Sequence, residues 1–136
     1  MYQQVYALEP SSTLKLYHHL FKSMSKNRSV TVYVKDKEYQ NIFSKSKYIK
    51  LVLQPEKADI VLITTETMLY SLKDNQFSKN TIVLTNQYRH LEKRDDIVGA
   101  FYYRKGRRQF LFLKPRLKEH NITLPYEYNK YIVDEL

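Results

Sequence analysis

The chain has 136 residues, 43% of them hydrophobic, and this length suits one domain, residues 1–136, with its own core. It has a formal net charge of +9, two glycines and no cysteine. The glycine count excludes the dinucleotide fingerprint and the P-loop, which need several glycines at fixed spacing, and the lack of cysteine excludes disulfides, thiolate zinc sites and cysteine nucleophiles.

The first helix is predicted near the start of the chain. Ser11 and Ser12 are typical helix caps, and apolar residues at helical spacing follow them. We therefore expect a helix that starts near Thr13 and ends near Lys26.

Short β-branched runs then alternate with helix signals. The runs at 30–34, 48–53, 59–63 and 81–85 predict strands, and the apolar run at 59–63 is typical of a central one. Asp36 predicts a short helix through residue 44, a third helix starts at 64–67, and a loop spans 74–80. This alternation predicts a three-layer α/β fold, with a mostly parallel central sheet flanked by helices.

The last third of the chain has a different pattern. Two apolar runs, 97–103 and 108–113, surround a turn that contains Gly106, and this predicts a C-terminal antiparallel β-hairpin. Pro115 suits the first turn of a helix that ends at about His120. Leu124 and Pro125 open a predicted final helix with Tyr128, Tyr131 and Ile132 on one side.

The sequence has no recognisable catalytic, metal or cofactor site, and we expect a protein that is not an enzyme. Among the histidines, His18 and His19 point about 100° apart on a helix and cannot both face one metal. Asp95 and Asp96 form the one adjacent acidic pair and are typical of a solvated loop. No serine lies in a nucleophile-elbow motif.

A small-anion site is predicted at the carboxyl ends of the parallel strands, where open α/β sheets bind ligands. Its candidate residues are Thr64, Thr65 and Asn86, whose side chains and helix N-terminal amides could hold an anion. The alternative is that Thr65 only caps its helix.

A basic stretch from residue 104 to 118 contains no acidic residue, and a basic surface favours an acidic partner. Its predicted partner-binding residues are Tyr103, Arg104, Lys105, Arg107, Arg108, Arg116 and Lys118. Tyrosines interleaved with arginines also suit nucleic acid, which is the second hypothesis. Two alternatives need no partner: a charged hairpin tip that prevents edge aggregation, and a generally basic composition.

The order of these segments resembles the YfiR-like family of small bacterial periplasmic α/β proteins. The resemblance spans about residues 14–133 and rests on the segments 16–22, 58–63, 81–85, 97–101, 106–112 and 117–124. It implies a regulatory or ligand-sensing domain, since the best-known member restrains a membrane-anchored diguanylate cyclase from the periplasmic side. The family's tryptophan and cysteine are missing here, so disulfide-based redox control is excluded.

The resemblance favours a periplasmic protein whose partner is an acidic protein such as a membrane-anchored signalling protein. No signal peptide is visible at residues 1–10, so this expectation requires a mature form with its signal removed; the alternative is a cytoplasmic protein. A basic nucleic-acid-binding domain and a small-molecule-binding α/β domain remain the alternative functions.

Overall fold

The computed structural model describes residues 9–73, 77 and 80–136, which form a seven-stranded sheet with helices. The elements in chain order are α1 (Pro10–Met24), β1 (Val30–Tyr33), α2 (Lys37–Phe43), β2 (Ile49–Leu51), a 3-10 turn (Pro55–Lys57), β3 (Ile60–Ile63), α3 (Glu66–Ser71), β4 (Ile82–Thr85), α4 (His90–Lys93), β5 (Ile97–Arg104), β6 (Arg107–Leu113), α5 (Lys114–Glu119), a 3-10 helix (Tyr126–Tyr131) and β7 (Ile132–Val133).

The strand order is β2-β1-β3-β4-β5-β6-β7. Strands β1 to β5 run parallel, β6 pairs antiparallel with β5, and β7 pairs parallel with β6. The first five strands have the 2-1-3-4-5 order of a doubly wound sheet, whose connections change direction between β1 and β3. The predicted α/β fold, with its mostly parallel sheet and C-terminal hairpin, is confirmed.

Two apolar cores lie on opposite faces of the sheet and make the three layers. The first face packs against α1, α2 and the 3-10 helix at 126–131. The second face packs against α3 and α4. All four residues of β3 are fully buried at 0% exposure, because alternate side chains point into the two cores, and β3 lies inside the sheet as predicted.

The start of α1 differs from the prediction. The helix begins at Pro10 and its cap is Glu9, whose carboxylate accepts the Ser12 backbone N–H at 2.8 Å. Proline suits the first helical position because its missing N–H would be unpaired there anyway. The predicted caps, Ser11 and Ser12, instead hydrogen-bond to Glu9 inside the first turn.

The C-terminal prediction is also partly wrong. The final helix is a 3-10 helix, and Ile132 lies in a strand because it pairs with Phe112 of β6. The predicted loop 74–80 lies largely outside the described residues. No helix in the described part of the chain is long and apolar enough to cross a membrane.

Candidate functional site

The β5–β6 hairpin extends beyond the carboxyl edge of the parallel sheet. The last β4 residue, Thr85, pairs with Ala100, so residues 101–104 of β5 pair only with β6. At about 3.3 Å per residue, this arm is roughly 13 Å long. Its turn residues, Lys105 and Gly106, have φ angles of 53° and 78°, as a two-residue type I′ turn requires. We call residues 101–110 the hairpin arm.

The tip of the hairpin arm is cationic and exposed. Arg104 lies directly opposite Arg107, and Tyr103 lies opposite Arg108. In the described part of the chain, none of the ion pairs involves Arg104, Lys105, Arg107 or Arg108. The tip therefore presents unneutralised positive charge to solvent.

A cleft of about 560 Å³ lies between the hairpin arm and the loop that follows β4. Its lining is Asn86, Gln87, Tyr88, Arg89, Tyr102, Tyr103 and Arg104. The rings of Tyr88 and Tyr102 meet edge to face with centroids 5.6 Å apart. A pocket of this size, with a few polar groups and aromatic walls, suits a small molecule.

The predicted anion-site residues divide between the cleft and its surroundings. Asn86 lines the cleft, whereas Thr64 is 5% exposed beneath the edge and Thr65 caps α3 by accepting the Met68 backbone N–H at 3.1 Å. The Gln87 side chain donates to the Thr64 carbonyl at 3.4 Å, which joins the ends of β3 and β4. The structure thus brings Asn86 to an open site and gives Thr65 its alternative capping role.

The predicted partner-binding residues also divide. Lys118 is exposed on α5, but Arg116 has a side chain only 18% exposed. The Arg116 Nη1 donates to the carbonyl oxygens of Leu91, Arg94 and Ile97 at 3.1, 3.1 and 2.9 Å. Because its guanidinium is occupied by the main chain, Arg116 has a structural role, and we leave it out of the partner surface.

The loop of the cleft is anchored by a buried histidine that sequence reasoning missed. The Thr85 hydroxyl donates to the Ile63 carbonyl at 2.9 Å and lies 2.7 Å from His90 Nδ1. With its one proton directed at Ile63, the hydroxyl accepts from an Nδ1–H, so His90 is the neutral Nδ1 tautomer. Thr85 Oγ1 also accepts the Gln87 backbone N–H at 3.2 Å, which fixes the loop.

His90 makes the stability of the protein depend on pH. Burial lowers the pKa of His90 below the 6.5 of a free imidazole, and the positive charges of Arg89 and Lys93 add to this. The unfolded chain therefore binds the proton more readily, and the free energy of unfolding falls as pH drops below about 6.5. Chemical denaturation at pH 8 and pH 5 should show this loss.

The variant His90→Asn keeps an amide nitrogen near the Nδ1 position. It should be less stable than the wild type at pH 8, but its free energy of unfolding should fall less than that of the wild type between pH 8 and pH 5. The variant His19→Asn alters an exposed histidine and should retain the wild-type loss. Equal pH dependence in wild type and His90→Asn would contradict the role of His90.

The other candidates for chemistry are dispersed in the structure. His18 packs on Tyr48 with centroids 5.2 Å apart, and His19 stacks on Tyr128. Asp96 holds Arg94 through two contacts of 2.9 and 2.7 Å, so it is not the solvated acid we expected. Within the described ranges, no group of three or more acidic or histidine side chains could hold a metal ion.

Comparisons with known proteins bear on the fold. No protein-family model and no curated protein matches the chain. The crystal structure of a conserved domain protein from Vibrio cholerae O1 biovar El Tor strain N16961 is similar, with a TM-score of 0.63 and 13% sequence identity. The match covers 88% of this chain and 59% of that one, so the chain spans about three fifths of its length. At this identity the similarity shows the α/β fold alone, and the YfiR-like resemblance stays a prediction.

Proposed function

We propose that this protein is a non-enzymatic regulatory domain that senses a small ligand in the cleft and binds an acidic protein partner through the hairpin arm. The partner class that the resemblance implies is a membrane-anchored signalling protein such as a diguanylate cyclase, approached from the periplasm. A basic nucleic-acid-binding domain is the second candidate, because tyrosines lie beside arginines on the arm.

The observation that supports this proposal most strongly is that the cleft and the basic tip share residues. Tyr103 and Arg104 line the cleft, and both belong to the last residues of β5 before the turn. A ligand that contacts Arg104 changes the position of a side chain on the partner surface. Such shared contacts give a ligand different affinities for the free and partner-bound forms, which is the requirement for coupling.

The charge of the tip favours an acidic partner. Arg104 and Arg107 face each other across the strands, and like charges in such positions destabilise a sheet by roughly 0.2–1 kcal/mol. An acidic surface would neutralise both. The alternative is protection of an open edge, because β7 covers β6 only at Phe112 and Leu113.

Changing Arg104, Arg107 and Arg108 together to serine should separate these roles. We expect an unchanged or raised melting temperature, since repulsion is removed from exposed positions, together with loss of partner binding. The measurement is photo-crosslinking in cells from an aryl ketone amino acid at position 105, followed by identification of the captured protein.

The matched control removes the same charge at the opposite edge of the sheet. Lys26, Arg28 and Lys47 are exposed and precede β1 and β2, and their triple serine variant should capture the partner normally. Capture of an acidic signalling protein supports the proposal. Equal capture by both triple variants would leave only the edge-protecting role.

Salt dependence distinguishes the nucleic-acid candidate. Binding to an oligonucleotide releases counterions, so log affinity should fall steeply and linearly with log salt if nucleic acid is the partner. The decisive result is an oligonucleotide affinity that falls steeply with salt and that the hairpin triple variant lacks. This result would make nucleic acid the partner in place of an acidic protein.

The proposed periplasmic location has its own test. An alkaline phosphatase fusion to the product of the natural gene should be enzymatically active, because this reporter needs the oxidising periplasm to form its disulfides. An inactive, stably expressed fusion would favour the cytoplasmic alternative.

A further inference from the structure

Behind the cleft, polar side chains gather on the first face of the sheet. Asn86 Nδ2 donates to the Tyr39 hydroxyl at 3.2 Å, and the rings of Tyr17 and Tyr39 lie 5.9 Å apart. Phe101 contacts Tyr17 and Tyr103 with centroids at 5.2 and 5.7 Å. We call the side-chain group Tyr17, Tyr39, Asn86 and Tyr103 the chamber; Asn86 and Tyr103 also line the cleft, so the chamber adjoins it.

The chamber contains buried polar atoms that lack hydrogen bonds. Among the described residues, no partner in hydrogen-bond geometry is found for the Tyr17 hydroxyl, Asn86 Oδ1 or the Tyr103 hydroxyl. Tyr17 is only 1% exposed, and its hydroxyl interacts with that of Tyr39 at a looser geometry. An unpaired buried polar group destabilises a fold by about 1–3 kcal/mol, so Asn86 Oδ1 and the Tyr103 hydroxyl, side by side at one site, need a reason.

The chamber is electrically neutral. Its four residues are tyrosines and an asparagine, and burial raises the pKa of the Tyr17 and Tyr39 phenols, so these remain protonated. The negative charge of Asp36 further raises the pKa of Tyr39, whereas the positive charges of Arg89 and Arg104 lie on the lining of the cleft outside the chamber. An ion buried in the chamber without an opposite charge is strongly unfavourable, and the Asp36 charge opposes an anion there in particular.

We propose that the chamber binds an uncharged hydroxyl-bearing group, as presented by one edge of a sugar ring. The carbonyl oxygen of Asn86 only accepts hydrogen bonds, whereas the hydroxyls of Tyr17 and Tyr103 both donate and accept. A ligand hydroxyl also does both, so neighbouring hydroxyls satisfy the whole set. A carboxylate would face Asn86 Oδ1 without a proton between them, and an ammonium would leave the tyrosine donors unused.

The cleft outside the chamber suits the rest of such a ligand. The Tyr88 and Tyr102 rings offer an apolar wall against which the C–H face of a sugar ring can pack. Gln87 and Arg104 lie at the same opening and can bind outer hydroxyls. This inference rests on the proposed function only in taking the cleft as the ligand site.

The test is the variant Tyr103→Phe, which removes one hydroxyl and keeps the ring. Glucose and N-acetylglucosamine are titrated into the isotope-labelled protein, and the backbone amides of residues 86–89 and 102–104 are followed by NMR. We expect both sugars to shift these amides, with at least a fivefold weaker affinity in Tyr103→Phe. The melting temperature of the ligand-free variant should rise, because an unpaired polar atom has been removed. Dextran, matched in ring concentration, distinguishes a polysaccharide from a free sugar as the source of the ring.

The matched control is Tyr48→Phe. The Tyr48 hydroxyl is also buried, has only a looser interaction with Ser25, and lies away from the cleft. This variant should bind sugars like the wild type. Acetate and methylammonium are the charged probes and should not shift the amides of the chamber residues Asn86 and Tyr103.

The inference is overturned if neither sugar shifts the amides, or if Tyr103→Phe binds as tightly as wild type. A lower melting temperature with unchanged binding would mean that the chamber only holds solvent. Unchanged partner capture in Arg107→Ser/Arg108→Ser, with sugar binding intact, would instead contradict the proposed function and leave this inference standing.

Discussion

Replacing Arg116 with methionine is expected to lower the free energy of unfolding by about 3 kcal/mol, because a charged hydrogen bond contributes about 1.5–3 kcal/mol and the acceptors become unpaired. One nitrogen of Arg116 holds carbonyls within α4, just after it and at the start of β5, so it fastens α5 to this segment of the chain. Urea denaturation of both proteins measures the difference.

The control for this variant lies two residues along the same helix. Lys118→Met removes an exposed cation of similar length and should change stability by no more than about 0.5 kcal/mol. Arg116→Lys should fall between the two, since lysine keeps the charge but its ammonium is more strongly hydrated than a guanidinium and is less favourable in a half-buried position. Similar losses in Arg116→Met and Lys118→Met would contradict the structural role.

Replacing Gly99 with alanine is expected to lower the free energy of unfolding by about 1–3 kcal/mol, the usual effect of overpacking a core. A Cβ at this position would overlap the Phe112 ring and lie 2.9 Å from the Leu111 carbonyl oxygen. Phe112 is fully buried and cannot move aside without disturbing the first core. Thermal and urea unfolding of the variant should show the loss.

Gly106 provides the comparison, because a Cβ there meets no atom within 4 Å. Its φ of 78° still disfavours alanine, by roughly 1–2 kcal/mol, whereas asparagine tolerates this region. We therefore expect the free energy of unfolding to fall most in Gly99→Ala, less in Gly106→Ala and least in Gly106→Asn. A Gly99→Ala protein as stable as Gly106→Asn would show that Phe112 has more space than the structure gives it.

Features that depend on neighbouring residues could be predicted from the sequence. Asp36 caps α2 by accepting the Glu38 N–H at 2.8 Å, as its position before a helical pattern indicated. The two-residue turn at Lys105 and Gly106 followed from a glycine between apolar runs. Both depend on contacts within a few residues, so local chemistry decides them.

Features that depend on distant residues could not be predicted. The cationic stretch did not reveal that Arg116 is turned inward, because its carbonyl partners lie 19 or more positions earlier. Helix α4 has four residues, too few for a visible period, and its place is set by the contact between His90 and Thr85. The chamber combines α1, α2, the end of β4 and β5, so only the fold brings its residues together.

The short turn of the hairpin arm also bears on the order in which the sheet can assemble. Parallel neighbours such as β3 and β4 must close a connection that contains a helix, whereas two residues connect β5 to β6. Closing a short loop loses less chain entropy and is faster, so this is the first pairing accessible among the described strands. The partner surface and one wall of the cleft can thus form before the opposite wall, which follows β4 and depends on the slower parallel pairing.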